Sequence, residues 1–392
     1  MDKIKDQKKR LRLLFFTPYF YPYISGITQY PFKLFSDSAL SCDTTCLTFK
    51  YSSKLENKVT INDNLTIQRM PFLFRISKGF ISPQALPYFW NETNKNDVVI
   101  LNLPSIEGII LAVFAKLNKK PLIALLHCEV LLPFSPLNFI VNHILNYGVF
   151  LQLLLADKII VETKDYFNGK SYYSRFKNKI VEVLPLVNNA ALDSKYQSEL
   201  TAMKKGYSPI VGFCGRIAAE KGIEVLIESI STFENTLLLF AGPTGTDVVG
   251  ENNYYAKIQN ILKEKKIPHV FLGILSAEQL TSFYKSLDVL ALPSLNKTEA
   301  FGMVQAEAML QGTPVVASHL PGVRVPIQLT KMGILTTPSN SLEITKAIQT
   351  ILENKSNHSN PQLIHNVKTI FDPGKVVEKI HDTLFLLTKK IK

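Results

Sequence analysis

Glu299 and Glu307 stand with seven residues between them in the run Thr298-Glu299-Ala300-Phe301-Gly302-Met303-Val304-Gln305-Ala306-Glu307, and Gly312-Thr313-Pro314-Val315-Val316-Ala317 follows. Phe301-Gly302 reads as a loop that opens a helix, and Pro314 before Val315-Val316 reads as entry to a buried strand. One carboxylate is then expected just before a helix N-terminus and the other within that helix's first turns. Carboxylates accept hydrogen bonds from hydroxyls, and the unpaired N–H groups and dipole at a helix N-terminus attract phosphate. The pair suits a polyhydroxylated ligand that carries an anionic group.

A second constellation is Gly212-Phe213-Cys214-Gly215-Arg216-Ile217-Ala218-Ala219-Glu220-Lys221-Gly222, placed after an apolar run and before a helical stretch at 223–230. Glycine lets the backbone approach a ligand closely. Arg216 offers a planar, permanently charged fork and Lys221 a point charge on a flexible stem. Together they could grip a diphosphate; taken alone, the same residues also make an ordinary strand-to-helix turn with two solvated cations. No Asp-x-Asp occurs in the chain. Diphosphate charge is therefore expected to meet these cations, with no metal site.

Elements able to position both constellations alternate along the chain. Short apolar runs at 11–17, 44–49, 97–101, 121–126, 158–162 and 180–184 read as strands separated by crossover helices. The pattern restarts beyond a junction near 190–207. Strands are expected at 209–212, 236–241, 269–272, 289–292, 314–317 and 333–336, with helices at 222–229, 254–264, 277–286 and 303–311. Two successive doubly wound α/β units are implied, and such sheets take ligands at the carboxyl ends of their strands. Val377, Ile380, Leu384 and Leu387 recur at helical spacing in the tail, which reads as a final docked helix.

With 392 residues, 46% hydrophobic and 19% charged, the chain is too long for one core and too apolar for disorder. Its net charge is +12, and residues 1–200 carry 24 Lys and Arg against 16 Asp and Glu. A basic first half suggests an anionic partner, whether membrane surface, phosphorylated acceptor or nucleic acid; a generally basic protein is the plain alternative. Cys42, Cys46, Cys128 and Cys214 lack metal-ligand spacing and sit in or near apolar runs, which suits small buried hydrophobes in a reducing compartment. The charged start and the apolar run after it read as a first strand, since Pro18 and Pro22 interrupt that run and no small-residue cleavage site follows. Residues 131–156 contain no Lys, Arg, Asp or Glu. Interrupted by Pro136 and several Asn, they read as a buried or membrane-apposed helix in preference to a spanning one. Phe72-Leu73-Phe74-Arg75-Ile76-Ser77-Lys78-Gly79-Phe80, then Pro87-Tyr88-Phe89-Trp90, mixes aromatics with cations. That mixture suits a membrane interface or equally a packed core loop. Lys116-Leu117-Asn118-Lys119-Lys120 reads as a solvated helix end, with an anionic surface as the alternative.

Gly215-Arg216…Glu220-Lys221-Gly222, with Pro293-Ser294…Glu299-Ala300-Phe301-Gly302…Glu307-Ala308…Gly312-Thr313-Pro314-Val315, resembles the retaining nucleotide-sugar glycosyltransferases of family 4, the group 1 glycosyl transferases. The resemblance is strongest over residues 208–340 and weaker over 1–190. It implies the GT-B fold, two Rossmann-like doubly wound domains facing each other across a cleft. Residues 1–195 would bind the acceptor, joined by the C-terminal helix at about 373–392, and residues 196–372 would bind the donor. By this resemblance Glu307 binds the nucleotide ribose and Glu299 contacts the donor sugar. Backbone amides of Phe301, Gly302, Met303 and Val304 hold sugar hydroxyls and phosphate, while Arg216 and Lys221, with the loop at Gly215, stabilise the leaving diphosphate. Gly26 lies in the loop after the first strand, with Ser25 where the family often has a first glycine. His127 ends a later strand facing donor and acceptor; a satisfied strand-end histidine is its plain alternative. Ala300 stands where Gly or Ser is commoner.

The implied activity is metal-independent, retaining hexosyl transfer from a UDP-sugar or GDP-sugar, without a further cofactor, to a glycan or lipid-linked acceptor in surface polysaccharide or glycolipid synthesis. It would act in the cytoplasm, peripherally on the inner face of an anionic membrane, with no nucleic-acid partner. The rivals are a non-catalytic GT-B binding subunit, a sugar-nucleotide epimerase of the same fold, and a nucleic-acid-binding protein. Against the last, the sequence holds no zinc signature and no arginine-rich tract.

Overall fold

A computed structural model describes residues 10–389, apart from 24, 77–78, 130–135, 169–172 and 246–251. Most of the charged start, Ser77 and Lys78 of the aromatic-cationic stretch, and the first five residues of the uncharged stretch 131–156 lie outside the described residues.

The chain divides into two compact units. One comprises Met1–Lys164, Lys170–Leu186 and Pro373–Lys392, and the other Asp165–Gly169 and Val187–Asp372. The first begins with β1 (Leu11–Phe16), α1 (Gly26–Ser36), β2 (Cys42–Phe49), β3 (Lys58–Asn62), β4 (Leu65–Met70) and a small hairpin, β5 (Phe74–Ile76) with β6 (Gly79–Ile81). It continues with α2 (Ala85–Lys95), β7 (Val98–Leu103), α3 (Gly108–Leu117), β8 (Leu122–Leu126), α4 (Pro136–Leu155) and β9 (Lys158–Val161). Then come α5 (Lys164–Asn168), nearly all of which groups with the second unit, α6 (Tyr173–Phe176) and β10 (Ile180–Glu182).

The second unit carries α7 (Ser194–Met203), β11 (Ile210–Cys214), α8 (Ile223–Ile230), β12 (Leu237–Ala241), α9 (Asn252–Glu264), β13 (His269–Phe271) and α10 (Ala277–Ser286). After them run β14 (Val289–Leu292), α11 (Met303–Leu310), β15 (Val315–Ser318), α12 (Val325–Thr330) and β16 (Gly333–Thr336). Three helices close it, α13 (Ser341–Glu353), α14 (Lys355–His358) and α15 (Pro361–Ile370); the tail forms α16 (Pro373–Thr388), which belongs to the first unit.

Each unit is built on one large sheet. The first runs β10-β9-β8-β7-β1-β2-β4-β3 and the second β13-β12-β11-β14-β15-β16. All described pairings in the second sheet are parallel, and in the first only β3 against β4 is antiparallel. Parallel strands need both faces covered, which is why their sequences are continuous apolar runs. Every residue of β7, β8, β11, β12, β14 and β15 is buried. The helices begin where caps allow: Ser276 Oγ accepts from the Gln279 N–H at 3.2 Å while Gln279 returns its side-chain oxygen to Ser276, a capping box that starts α10. Asn340 and Asn360 cap α13 and α15 in the same way, each through its side-chain oxygen.

The strand orders fix where a ligand can enter. In the second sheet the chain moves outward from β11 through β12 to β13, then returns to β14 on the other side of β11. The crevice outside the carboxyl ends of β11 and β14 is therefore the topological switch point. In the first sheet the corresponding place lies between β1 and β7.

Candidate active site

Both sequence constellations leave the second sheet at this switch point. Residues 215–222 follow β11 and residues 293–302 follow its neighbour β14. Two glycines bring the loops together. Gly222 has φ +68° and lies so close to the Pro293 carbonyl that a Cβ would overlap its oxygen. Gly302, at φ +75°, lies against Leu292 in the same manner and serves as the N-cap of α11. The left-handed conformation and the missing Cβ are both needed here.

The consequence is a contact across 78 residues of sequence: the Lys221 ammonium donates to Glu299 Oε2. Both side chains are mostly buried, 15% and 16% exposed. Ser294 Oγ stands 3.5 Å from the same carboxylate oxygen. Asn296 shapes the intervening loop by accepting from the Thr298 N–H at 3.0 Å and its hydroxyl at 2.7 Å. Gln305, fully buried, donates its amide to the Phe301 and Val323 carbonyls and fixes the entry to α11. The Gln305 N–H turns back to the Gly302 carbonyl at 2.9 Å, while the N–H groups of Met303 and Val304 have no intrahelical carbonyl to reach, so this helix end presents partial positive charge beside Glu299.

Glu307 lies one turn further into α11 and is buried. Tyr284 donates its hydroxyl to Glu307 Oε2 at 2.8 Å, and the Asn188 N–H donates to Oε1 at 3.0 Å. Each carboxylate oxygen accepts more than one hydrogen bond, so capacity for further hydroxyl donors remains. The Tyr284 hydroxyl also sits 3.3 Å from Cys214 Sγ. Burial raises the Tyr284 pKa well above its ordinary value, and burial pushes Cys214 up to about 12, so both stay protonated.

Arg216 is half exposed and pairs with Glu220, four residues on, at 2.7 Å. Gly215 donates its N–H to the Ala241 carbonyl at 2.9 Å, so what that residue offers a ligand is close approach. Behind α11, Asp165 of α5 takes a bidentate bond from Arg324 at 2.6 and 2.9 Å and accepts from the Gly322 N–H at 2.7 Å. Burial works to raise the Asp165 pKa, but these bonds and the guanidinium charge outweigh it and hold the carboxyl below its usual value. Tyr166 donates to the Lys297 carbonyl at 2.8 Å, tying α5 to the loop that carries Glu299.

In the first unit, His127 follows β8 and Gly26 opens α1, both at the carboxyl end of the sheet near its switch point. His127 is buried, with Nδ1 3.0 Å from Glu162 Oε1 and Nε2 2.8 Å from Asn102 Oδ1. Asn102 turns its amide nitrogen to Thr17 Oγ1 at 3.1 Å and to the Ile27 carbonyl at 3.2 Å, which links the histidine to the start of α1. Neither ring nitrogen meets a ligand without giving up one of these bonds. Gly26 has ordinary negative φ, and Thr28 Oγ1 accepts from the Ser25 N–H at 3.0 Å beside it. Among the described residues, no group of three or more His, Cys, Asp or Glu is placed to hold a metal ion. Tyr284, Asn188, Asp165 and Arg324 were not found from sequence; they act through contacts with residues far away in the chain and carry no local pattern.

Two α/β units with parallel sheets and short loops at each switch point define the GT-B class. The architecture matches sucrose-phosphate synthase from Thermosynechococcus elongatus with a TM-score of 0.77 at 17% identity, covering 97% of this chain and 100% of that one. It also matches Anabaena HepE in complex with UDP and glucose, with a TM-score of 0.71 at 18% identity over 97% and 100%. The family described as glycosyl transferases group 1 matches residues 202–368, the region that carries both loops. Among curated relatives, D-inositol 3-phosphate glycosyltransferase from Corynebacterium kroppenstedtii is 27% identical over 215 residues, half of this chain and 46% of that protein. The chain thus spans less than half the length of that relative.

Proposed function

We propose that this protein transfers a sugar from a nucleoside diphosphate sugar, a UDP-sugar or GDP-sugar, to a hydroxyl of a glycan or lipid-linked acceptor, with retention at the anomeric carbon. The observation that carries the reading is the meeting of Lys221 with Glu299 at the tip of α11, with Glu307 held by Tyr284 one turn inside. The UDP complexes of the structurally similar HepE support the choice of donor class.

In the proposed reaction the bond from the anomeric carbon to the diphosphate oxygen breaks, and the leaving diphosphate gains negative charge. Lys221, Arg216 and the N–H groups of Gly302, Met303 and Val304 would receive that charge. Fixed donors aimed at developing charge lower a barrier because they need no reorganisation. The acceptor hydroxyl attacks on the face the diphosphate leaves, and its proton passes to a phosphate oxygen. Glu299 then stabilises positive charge on the sugar ring and sets the Lys221 ammonium, while Glu307 accepts from the ribose hydroxyls. Charge on the diphosphate is met by side chains and helix dipole, so the proposed reaction needs no divalent metal. We place it in the cytoplasm, in the synthesis of a surface glycan or glycolipid.

A thermal-shift panel of nucleotides and nucleotide sugars tests the donor class, because a ligand at 100 times its Kd adds about 2.7 kcal/mol of stability. The reading requires a shift with a nucleoside diphosphate or its sugar that Glu307→Ala removes. Release of nucleoside diphosphate from the stabilising donor then tests transfer; a donor that binds but is never cleaved, with any acceptor hydroxyl offered, would favour a binding subunit.

A further inference from the structure

The helices covering one face of the first sheet carry an apolar surface that the proposed transfer reaction does not use. α3 packs against both α2 and α4, and Trp90 of α2 meets Phe114 of α3 with ring centroids 5.3 Å apart. Ile110, Val113 and Leu117, exposed on α3, recur three and four residues apart, which is one helical face. On α4, Ile140, Ile144 and Tyr147 repeat this pattern, each more than half exposed. α4 contains no Lys, Arg, Asp or Glu, and within it residues 138–155 are long and apolar enough to cross a membrane, by length and composition only. Just 22% of that window is buried, so it is not a core helix. Nor does it stand apart from its unit. Gln152 is fully buried and donates to the Ser105 carbonyl at 2.6 Å, and Gly148 lies against Ile106 and Ile109. The helix is anchored along one side and apolar along the other.

Charge lies at the end of this surface. Lys119 and Lys120 follow α3, while Lys116 is paired with Asp157 at 2.7 Å and Lys95 with Glu92 at 2.8 Å. After those pairings two cations remain in excess. The β5–β6 hairpin, with Leu73 and Phe74 exposed, is tied to the start of α3 where Glu107 accepts from the Phe80 N–H at 2.8 Å.

We infer that the α2–α3–α4 face rests on a lipid bilayer with anionic headgroups. Apolar rings enter the acyl boundary and Lys119 and Lys120 meet the headgroups, with α4 lying in the membrane plane. A second copy of the chain would bring a further set of lysines to the same edge, whereas anionic lipid neutralises them. The inference gives the proposed lipid-linked acceptor a surface on which to be met, yet vesicle binding needs no donor, so it can hold or fail independently of the transfer reaction.

The test is flotation of the full chain with phosphatidylcholine vesicles, with and without phosphatidylglycerol. Binding that increases with phosphatidylglycerol is expected, and Ile144→Glu with Tyr147→Glu removes it while circular dichroism stays that of the parent. Lys119→Gln with Lys120→Gln lowers partition onto anionic vesicles by roughly 25-fold, about fivefold per charge, and leaves neutral vesicles unaffected. Flotation absent in the parent, or equal in parent and variants, overturns the inference. So does self-association by sedimentation that Ile144→Glu abolishes without any vesicle binding, which would make a second copy the occupant.

Discussion

Replacing Lys221 by methionine separates two roles that one contact combines. Lys221 bonds Glu299, and both side chains are mostly buried, so Lys221→Met leaves a largely desolvated carboxylate without its cation. We expect a loss of about 1–3 kcal/mol in folding stability, below the full penalty of a completely buried pair. The same ammonium is proposed to face the leaving diphosphate. A cation about 4 Å from a unit charge at an effective dielectric near 20 contributes about 4 kcal/mol before desolvation, and loss of one such donor lowers kcat by about 10²–10³. Glu299→Gln in the Lys221→Met background removes the orphaned charge while keeping the shape. Stability from urea denaturation should then recover by at least half, whereas nucleoside diphosphate release, followed at saturating donor, should stay about 10² or more below the parent. If turnover recovers along with stability, Lys221 is a structural partner of Glu299 and the leaving-group role is wrong.

Further outcomes follow from particular contacts. Tyr284→Phe removes the hydroxyl that donates to Glu307 at 2.8 Å; nucleotide affinity by calorimetry should fall about tenfold, as for one bond to a charged group, with the fold retained. Gly222→Ala forces a side chain into a left-handed conformation against the Pro293 carbonyl. A loss of about 1–3 kcal/mol in urea denaturation is expected, and an unchanged midpoint would contradict the close approach. Asp165 has a folded pKa below its ordinary value, so its stabilising contribution is present above the unfolded pKa and fades as pH falls through the folded one. Asp165→Asn should therefore destabilise at pH 7, and its difference from the parent should shrink as pH falls below the unfolded carboxylate pKa; a difference that stays constant across the acid range would refute that pairing. Cys42, Cys46 and Cys214 are buried with raised pKa values, the first to about 11 and the last to about 12. Brief maleimide treatment of the folded protein should label Cys128 ahead of these three, as read by peptide mass spectrometry.

Much of the second unit's fold could be read from the chain because parallel strands write themselves as uninterrupted apolar runs. The stretches 289–292 and 333–336 coincide with β14 and β16, and 277–286 with α10. The two loops could be read because glycine, proline and charge mark the points where such strands end. Less visible were β5 and β6, three residues each, too short for a period to register. Other contacts around the two loops were hidden for a different reason. Tyr284 sits on an amphipathic helix where an inward tyrosine looks like core, and Asp165 reaches Arg324 across 159 residues. Likewise, Asn102 and Glu162 hold both ring nitrogens of His127 from the ends of neighbouring strands, a juxtaposition that strand order creates and local sequence cannot display. The stretch 131–156 carried a clear absence of charge, but only the packing of α4 (from Pro136 on) shows that one side is anchored and the other exposed.

The most direct measurement is a crystal structure of the protein with a nucleoside diphosphate bound. The diphosphate should lie within hydrogen-bonding distance of Lys221 Nζ and of the N–H groups of Met303 and Val304, with the ribose on Glu307. A nucleotide bound elsewhere, with these groups untouched at full occupancy, would contradict the account.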